Sequence, residues 1–268
     1  MTQGILRMEQ IKFRSMDELE IFGHLSIPHS AKPLPAVLLV TGGIHGGVFQ
    51  EDGDYDPLHI GICNCLNNAG YATFIVDKRG SKGYGNEYMS HLDLCGREVD
   101  DIIAGGLYLK GLSQLNGKIA VHGTSRSSTT ASLAISRSSI FAAAVLASGF
   151  YDIYPQYKYE EKYRSQIFPT KQSMQGKDIE TFPHRERSPI NHVGNVNCSV
   201  LLVHGKDDTI VPLERSVEYH DALRKNCVDV ELITYEQFAH FKAYSYPSHP
   251  IGRTYWDKCI RFLDKHLK

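Results

Sequence analysis

The sequence predicts an α/β fold, a mostly parallel, doubly wound sheet preceded by an antiparallel N-terminal hairpin. Three observations predict it. Short, wholly apolar stretches such as Ala36-Val-Leu-Leu-Val40 recur along the chain, each followed by a helix-like segment, and that alternation marks parallel strands buried on both faces. Two β-prone stretches near the start are joined by only a short polar link. With 42% hydrophobic and 22% charged residues over 268 positions, the chain has the composition of a globular protein with a core to build.

Glu9 to Arg14 and Leu19 to Ile27, on either side of the polar Ser-Met-Asp-Glu, form the hairpin. Ala36 to Val40 is the next strand and ends in Gly42-Gly43. A helix-like segment then runs to Asn68, and Tyr71 to Val76 returns as a strand. The alternation continues with a helix from about Glu98 to Leu112, a strand Lys118 to Val121, a helix Arg126 to Ser136 and a strand Phe141 to Leu146. It resumes with a strand Val200 to His204, a helix Leu213 to Lys225, a strand Val228 to Thr234 and a last helix ending near His266. Between these halves, Gly149 to Asn197 is polar and aromatic without clean periodicity, and long insertions of this kind are usually functional lids. The expected organisation is one domain over 1–268 with 149–197 as a lid-like insertion.

The 29 basic and 30 acidic side chains give a net charge of -1, which removes the positive field of a general nucleic-acid binder. The first fifteen residues lack the apolar core of a secretory signal, and Ile140 to Ala147 is too short to span a bilayer. The six cysteines are scattered, without a CxxC pair, as in a reduced protein. The expectation is a cytoplasmic protein that takes a small-molecule or short-peptide substrate and binds no metal, cofactor, nucleic acid or membrane.

In an open parallel sheet, ligands bind beyond the carboxyl ends of the strands, so residues there carry most weight. After Lys118 to Val121 comes Gly123-x-Ser125-x-Ser127, where a strand-to-helix turn would hold the Ser125 hydroxyl exposed. Taken alone, such a serine reads as a helix cap. Val200 to His204 leads to Asp207 and Asp208, and Val228 to Thr234 leads to His240. The order Ser, Asp, His is that of the α/β-hydrolase triad. A neutral serine is a poor nucleophile, so it needs an imidazole to take its proton and a carboxylate to orient the ring. Asp207 is the rival acid, while His122 and His204, which end strands, suit structural roles.

An oxyanion needs two backbone N–H donors. Arg126 at the helix start supplies one, and Gly43 in Thr41-Gly-Gly-Ile-His-Gly-Gly-Val48 is the first choice for the other, with Gly46 and Gly47 as alternatives. The Arg126 cation opposes the helix dipole, which calls for a carboxylate such as Glu51, Asp52 or Asp54, or for an anionic group on the substrate. Arg126 and Tyr151 are the substrate-binding candidates.

Five strings carry a resemblance: Phe49-Gln-Glu-Asp52, Asp77-Lys-Arg-Gly-Ser-Lys-Gly-Tyr-Gly85, Gly96 to Asp101, Ser188-Pro-Ile-Asn-His-Val193 and His204-Gly-x-x-Asp208-x-x-Val-Pro212. In this order, from about residue 36 onward, the chain resembles the catalytic domain of prolyl oligopeptidase family serine peptidases, nearest the acylaminoacyl-peptidase branch. More broadly it is similar to the dienelactone-hydrolase-like α/β hydrolases. The resemblance implies Ser125 as nucleophile, Asp208 as acid, His240 as base, and an oxyanion hole from Arg126 and the glycine loop. The chain departs from it in three ways. Arg126-Ser127-Ser128 stands where the family has Tyr-Gly-Gly, and the oxyanion loop has two registers four residues apart. The expectation is that 268 residues leave no room for the family's several-hundred-residue propeller, so the resemblance does not by itself imply peptidase activity. Dienelactone hydrolases use a cysteine where Ser125 stands.

The function expected from these residues is hydrolysis of carboxylic esters, amides or thioesters through an acyl-enzyme on Ser125. An acyltransferase or cyclase using the same triad is one alternative. The other is a non-catalytic ligand-binding hydrolase fold, which Ser127 and Ser128 alone favour.

Overall fold

A computed structural model of the protein describes residues 7–49, 53–163, 178–236, 239–240 and 246–268. Eight strands form one sheet: β1 (Glu9–Arg14), β2 (Glu20–Ser26), β3 (Leu34–Val40), β4 (Ala72–Asp77), β5 (Leu115–Thr124), β6 (Ala143–Ala147), β7 (Ser199–Gly205) and β8 (Val230–Tyr235). Their order is β1-β2-β4-β3-β5-β6-β7-β8. The β1–β2 and β2–β4 pairs are antiparallel, and every pair from β4 onward is parallel. The apolar composition explains the placement: β4 and β6 are buried along their whole length, whereas β8 at the edge is only partly covered.

Helices cover both faces. On one side α1 (Pro57–Asn68) and α8 (Pro250–Leu267) pack Leu66, Trp256 and Phe262 against the sheet. On the other, α3 (Glu98–Lys110), α4 (Arg126–Arg137) and α7 (Glu214–Lys225) bury Ile102, Leu133 and Leu223. α1 starts where Asp56 accepts the Leu58 N–H and Pro57 occupies the first turn. Its start after a long glycine loop, rather than at the glycines, leaves that loop free to line a site.

Two differences from the sequence reading have local causes. β5 begins three residues earlier than expected and ends three later, because pairing with β3 starts at Leu115 and pairing with β6 continues to Thr124. A short helix α2 (Gly85–Ser90) follows the glycine-rich string; six residues carry no readable helical period, and Tyr88 holds the turn by donating to the Asp77 carbonyl.

The expected insertion holds α5 (Ile153–Tyr163), the single turn α6 (His184–Arg187) and a 3-10 segment Pro189–Asn195; positions 164–177 lie outside the described residues. Ser188 binds the segment together, accepting the Ile153 N–H and donating to the His184 carbonyl. The Asp77-to-Gly85 string serves as framework too. Asp77 accepts from the Val48 N–H and the Tyr84 hydroxyl, and Arg79 bridges Asp101 and Asp17.

Candidate active site

Between β5 and α4 the chain turns sharply at Ser125, whose φ of 58° and ψ of -128° lie in a strained region for a residue with a side chain. The turn is possible because Gly123 has no Cβ; one built there would stand 2.4 Å from the Ser127 carbonyl oxygen. The Ser125 N–H donates to the Ala147 carbonyl at 2.8 Å, tying the turn to the neighbouring strand.

α4 is rich in Ser and Thr yet almost entirely buried, which its composition alone does not predict. Its hydroxyls donate to backbone carbonyls: Ser128 to Gly123 and Ala147, Thr129 to Phe150, Ser132 to Ser128 and Ser136 to Leu133. Ser127 donates to the Thr41 carbonyl at 2.8 Å, so the residue that replaces a family glycine pins the helix to the glycine loop.

The loops after β7 and β8 bring the other two groups to the same place. His240 Nε2 lies 3.0 Å from Ser125 Oγ, and His240 Nδ1 lies 2.6 Å from Asp208 Oδ2. Since the carboxylate only accepts, Nδ1 carries the proton and Nε2 is left to accept the serine hydroxyl. Asp208 Oδ1 accepts the Ile210 and Val211 N–H groups. Burial raises its pKa, but hydrogen bonds from His204 and His240 outweigh that and hold the carboxyl well below the usual range. An alcohol, an imidazole and a carboxylate in this arrangement can pass a proton from oxygen to nitrogen. Asp207, by contrast, is exposed.

His204 and His122 have structural partners. His204 contacts the Val211 carbonyl through Nε2 at 2.9 Å and the Ser216 hydroxyl through Nδ1 at 2.7 Å. His122 bonds the Tyr255 hydroxyl at 2.9 Å and stacks on Trp256.

A cavity of about 230 Å³ opens beside the serine. Gly43, Arg126 and His240 line it, and Leu94, Phe150, Ile153 and Tyr157 make its walls apolar. Gly43, with φ of 74°, faces this cavity, whereas Gly46 packs on the Gly42 carbonyl and Gly47 on the Lys82 carbonyl. The earlier of the two glycine registers is therefore the one beside Ser125.

Two expectations need correction. Tyr151 is fully buried, its ring stacked on Tyr219 at 4.1 Å, so it belongs to the core and does not line the cavity. The carboxylate that meets Arg126 is Glu98, with Arg126 Nη2 donating to Oε1 at 2.9 Å; Asp54 is exposed, and Glu51 and Asp52 lie outside the described residues. Glu98 is wholly buried and also faces Lys78, 3.9 Å away. Sequence reasoning gave no role to Glu98, nor to Gln156 of α5, which lines the cavity; both depend on contacts between distant elements. Among the described residues, no group of three or more His, Cys, Asp or Glu is arranged to hold a metal ion.

The sheet order, the strained serine turn and the strand-end positions define an α/β-hydrolase fold. Residues 61–268 match the prolyl oligopeptidase family, and the chain belongs to that family. Fold and family place it among the serine hydrolases. It is 24% identical over 236 residues to the uncharacterized peptidase YuxL of Bacillus subtilis, covering 87% of this chain and 35% of that protein. It is 26% identical over 253 residues to the acylamino-acid-releasing enzyme of Rattus norvegicus, covering 87% of this chain and 32% of the enzyme. The chain thus spans about a third of the length of these relatives. Among solved structures, Pyrococcus horikoshii acylaminoacyl peptidase superposes with a TM-score of 0.81 at 22% identity, over 100% of this chain and 43% of the other. A Mycobacterium tuberculosis puromycin-hydrolyzing peptidase gives 0.82 at 20% identity, over 99% and 40%. At these identities the superpositions speak for the fold.

Proposed function

We propose that the protein hydrolyses carboxylic esters or amides of small-molecule or short-peptide substrates through an acyl-enzyme on Ser125. The observation that carries this reading is the unbroken hydrogen-bonded chain from Ser125 through His240 to Asp208. As Ser125 Oγ attacks the substrate carbonyl carbon, His240 Nε2 takes the hydroxyl proton and Asp208 stabilises the imidazolium. The backbone N–H groups of Gly43 and Arg126 would hold the oxyanion, a role favoured by the cavity-facing position of Gly43 and by the open first turn of α4. His240 then protonates the leaving alcohol or amine, and water repeats the cycle against the acyl ester.

Names of the relatives favour amide bonds near a blocked amino terminus or an aminoacyl group as the natural target. Apolar cavity walls are equally suited to simple acyl esters, so both bond types are substrates to assay. The segment 149–197 would act as a lid on a single 1–268 hydrolase domain; α5 supports this by supplying Ile153, Gln156 and Tyr157 to the cavity. All six cysteines are unpaired, which favours a reducing compartment such as the cytoplasm. No helix among the described residues is long and apolar enough to cross a membrane.

A fluorophosphonate probe tests the proposal. It should label the protein and fail to label Ser125→Ala; equal labelling of both would refute the assignment. p-Nitrophenyl hexanoate turnover, measured alongside, should be lost in the same variant.

A further inference from the structure

The cavity beside Ser125 is mostly apolar; apart from Ser125 and His240 themselves, its polar lining is Arg126, Gln156 and Glu160. Arg126 is 6% exposed, and while its Nη2 is engaged by Glu98, its Nε and Nη1 are buried without a hydrogen-bond partner. Gln156 is 2% exposed, and its Nε2 donates to Glu160 Oε1 at 2.9 Å and to the Ile210 carbonyl at 3.0 Å. Those two donations fix which end of the amide is which, and they leave Oε1 buried and unpartnered. More than nine in ten buried polar groups find a partner, because one left without loses its hydration with nothing in return. The residues that carry these orphans come from two separate elements, α4 and α5, and both line the one cavity.

Glu98 pairs with Arg126 and also faces Lys78, whose pKa burial pushes down. The neighbouring carboxylates are committed elsewhere, Asp101 to Arg79 and Ser15, and Asp77 to Tyr84 and the Val48 N–H. Glu160, the carboxylate on the cavity wall, is held by Gln156. A guanidinium with two unpartnered donor nitrogens at a mostly apolar cavity suits an anionic oxygen ligand.

From this we infer that the acyl half of the substrate carries its own carboxylate, which Arg126 binds within the cavity. This rests on the hydrolase reading, since the group that stays bound while the leaving group departs and water enters is the acyl half. Gln156 Oε1 adds an acceptor for an N–H or O–H on the same acyl chain. The residue after Ser125 would then contribute twice, its backbone N–H to the oxyanion and its side chain to the choice of acyl group.

The test compares p-nitrophenyl hydrogen adipate with p-nitrophenyl hexanoate, which differ in having a carboxylate or a methyl at the far end. Binding is measured by calorimetry on Ser125→Ala protein, so the result does not depend on turnover; the catalytic reading stands or falls on the labelling experiment instead. The adipate ester should bind roughly 10- to 100-fold more tightly, as a charge-assisted bond in a desolvated site requires. Equal binding, or tighter binding of hexanoate, overturns the inference. Adding Arg126→Gln should abolish the difference, and its survival in that variant would also overturn it. Gln156→Glu, which keeps the side-chain shape and sets a carboxylate against the ligand, provides a second check: the preference should fall at least ~10-fold, and an unchanged preference counts against the inference.

Discussion

Ser127 Oγ donates to the Thr41 carbonyl at 2.8 Å, joining the first turn of α4 to the loop that carries Gly43. Thr41 is itself fully buried. Ser127→Ala would leave that carbonyl without a partner and free the two proposed oxyanion donors to drift apart. Urea unfolding should show a loss of about 1–3 kcal/mol, and kcat should fall roughly 10-fold with the proton relay intact.

If the hydrogen-bonded relay is the catalytic apparatus, its members should fail together. Ser125→Ala and His240→Ala are each expected to lower kcat by about 10⁴ to 10⁶, and the double variant should be little worse than either. Asp208→Asn should cost on the order of 10⁴, because the amide favours the wrong tautomer of His240. Asp207→Asn, on an exposed side chain one position away, should leave steady-state rates within about 2-fold.

Glu98 is the shared counter-ion of Arg126 and Lys78, and all three are buried. Glu98→Gln removes the negative charge and leaves the buried Arg126 guanidinium without its ion-pair partner. The expected loss is about 3–5 kcal/mol by chemical denaturation. Glu98→Asp, which keeps the charge on a shorter stem, should recover part of it.

His122 is buried against Tyr255 and Trp256, and burial pushes its pKa down to about 4. Below the ordinary histidine value of 6.5, the unfolded chain takes up a proton that the folded protein refuses. Stability is therefore full above pH 6.5 and declines as pH falls toward 4, by roughly 3 kcal/mol from this one residue. His122→Gln does not titrate, so its melting temperature should fall less over that interval; parallel curves would show that His122 is not the source.

Much of the sheet was legible because its strands are short apolar runs whose burial on both faces leaves a compositional mark. The serine turn, the acid loop and the imidazole loop could be found because chemistry in a parallel sheet collects at strand ends, and the structure brings Ser125, Asp208 and His240 into contact. What escaped was set by packing between distant segments. An aromatic residue in an insertion, Tyr151, reads as a cavity wall until its stacking on Tyr219 of α7 is seen. Glu98 looks like a favourable first-turn acid of α3, and nothing local says that it reaches Arg126. Ser127 and Ser128 look like an eroded turn, yet their hydroxyls complete it by bonding the Thr41 and Gly123 carbonyls.

The serine and the imidazole that meets it are 115 positions apart, with the imidazole beyond the last strand of the sheet. Synthesis runs from the amino end, so an unfinished chain on the ribosome holds its alcohol ready long before the partner exists. On the proposed mechanism, reactivity would be withheld until the sheet is complete, and each active molecule would be its own certificate of finished folding.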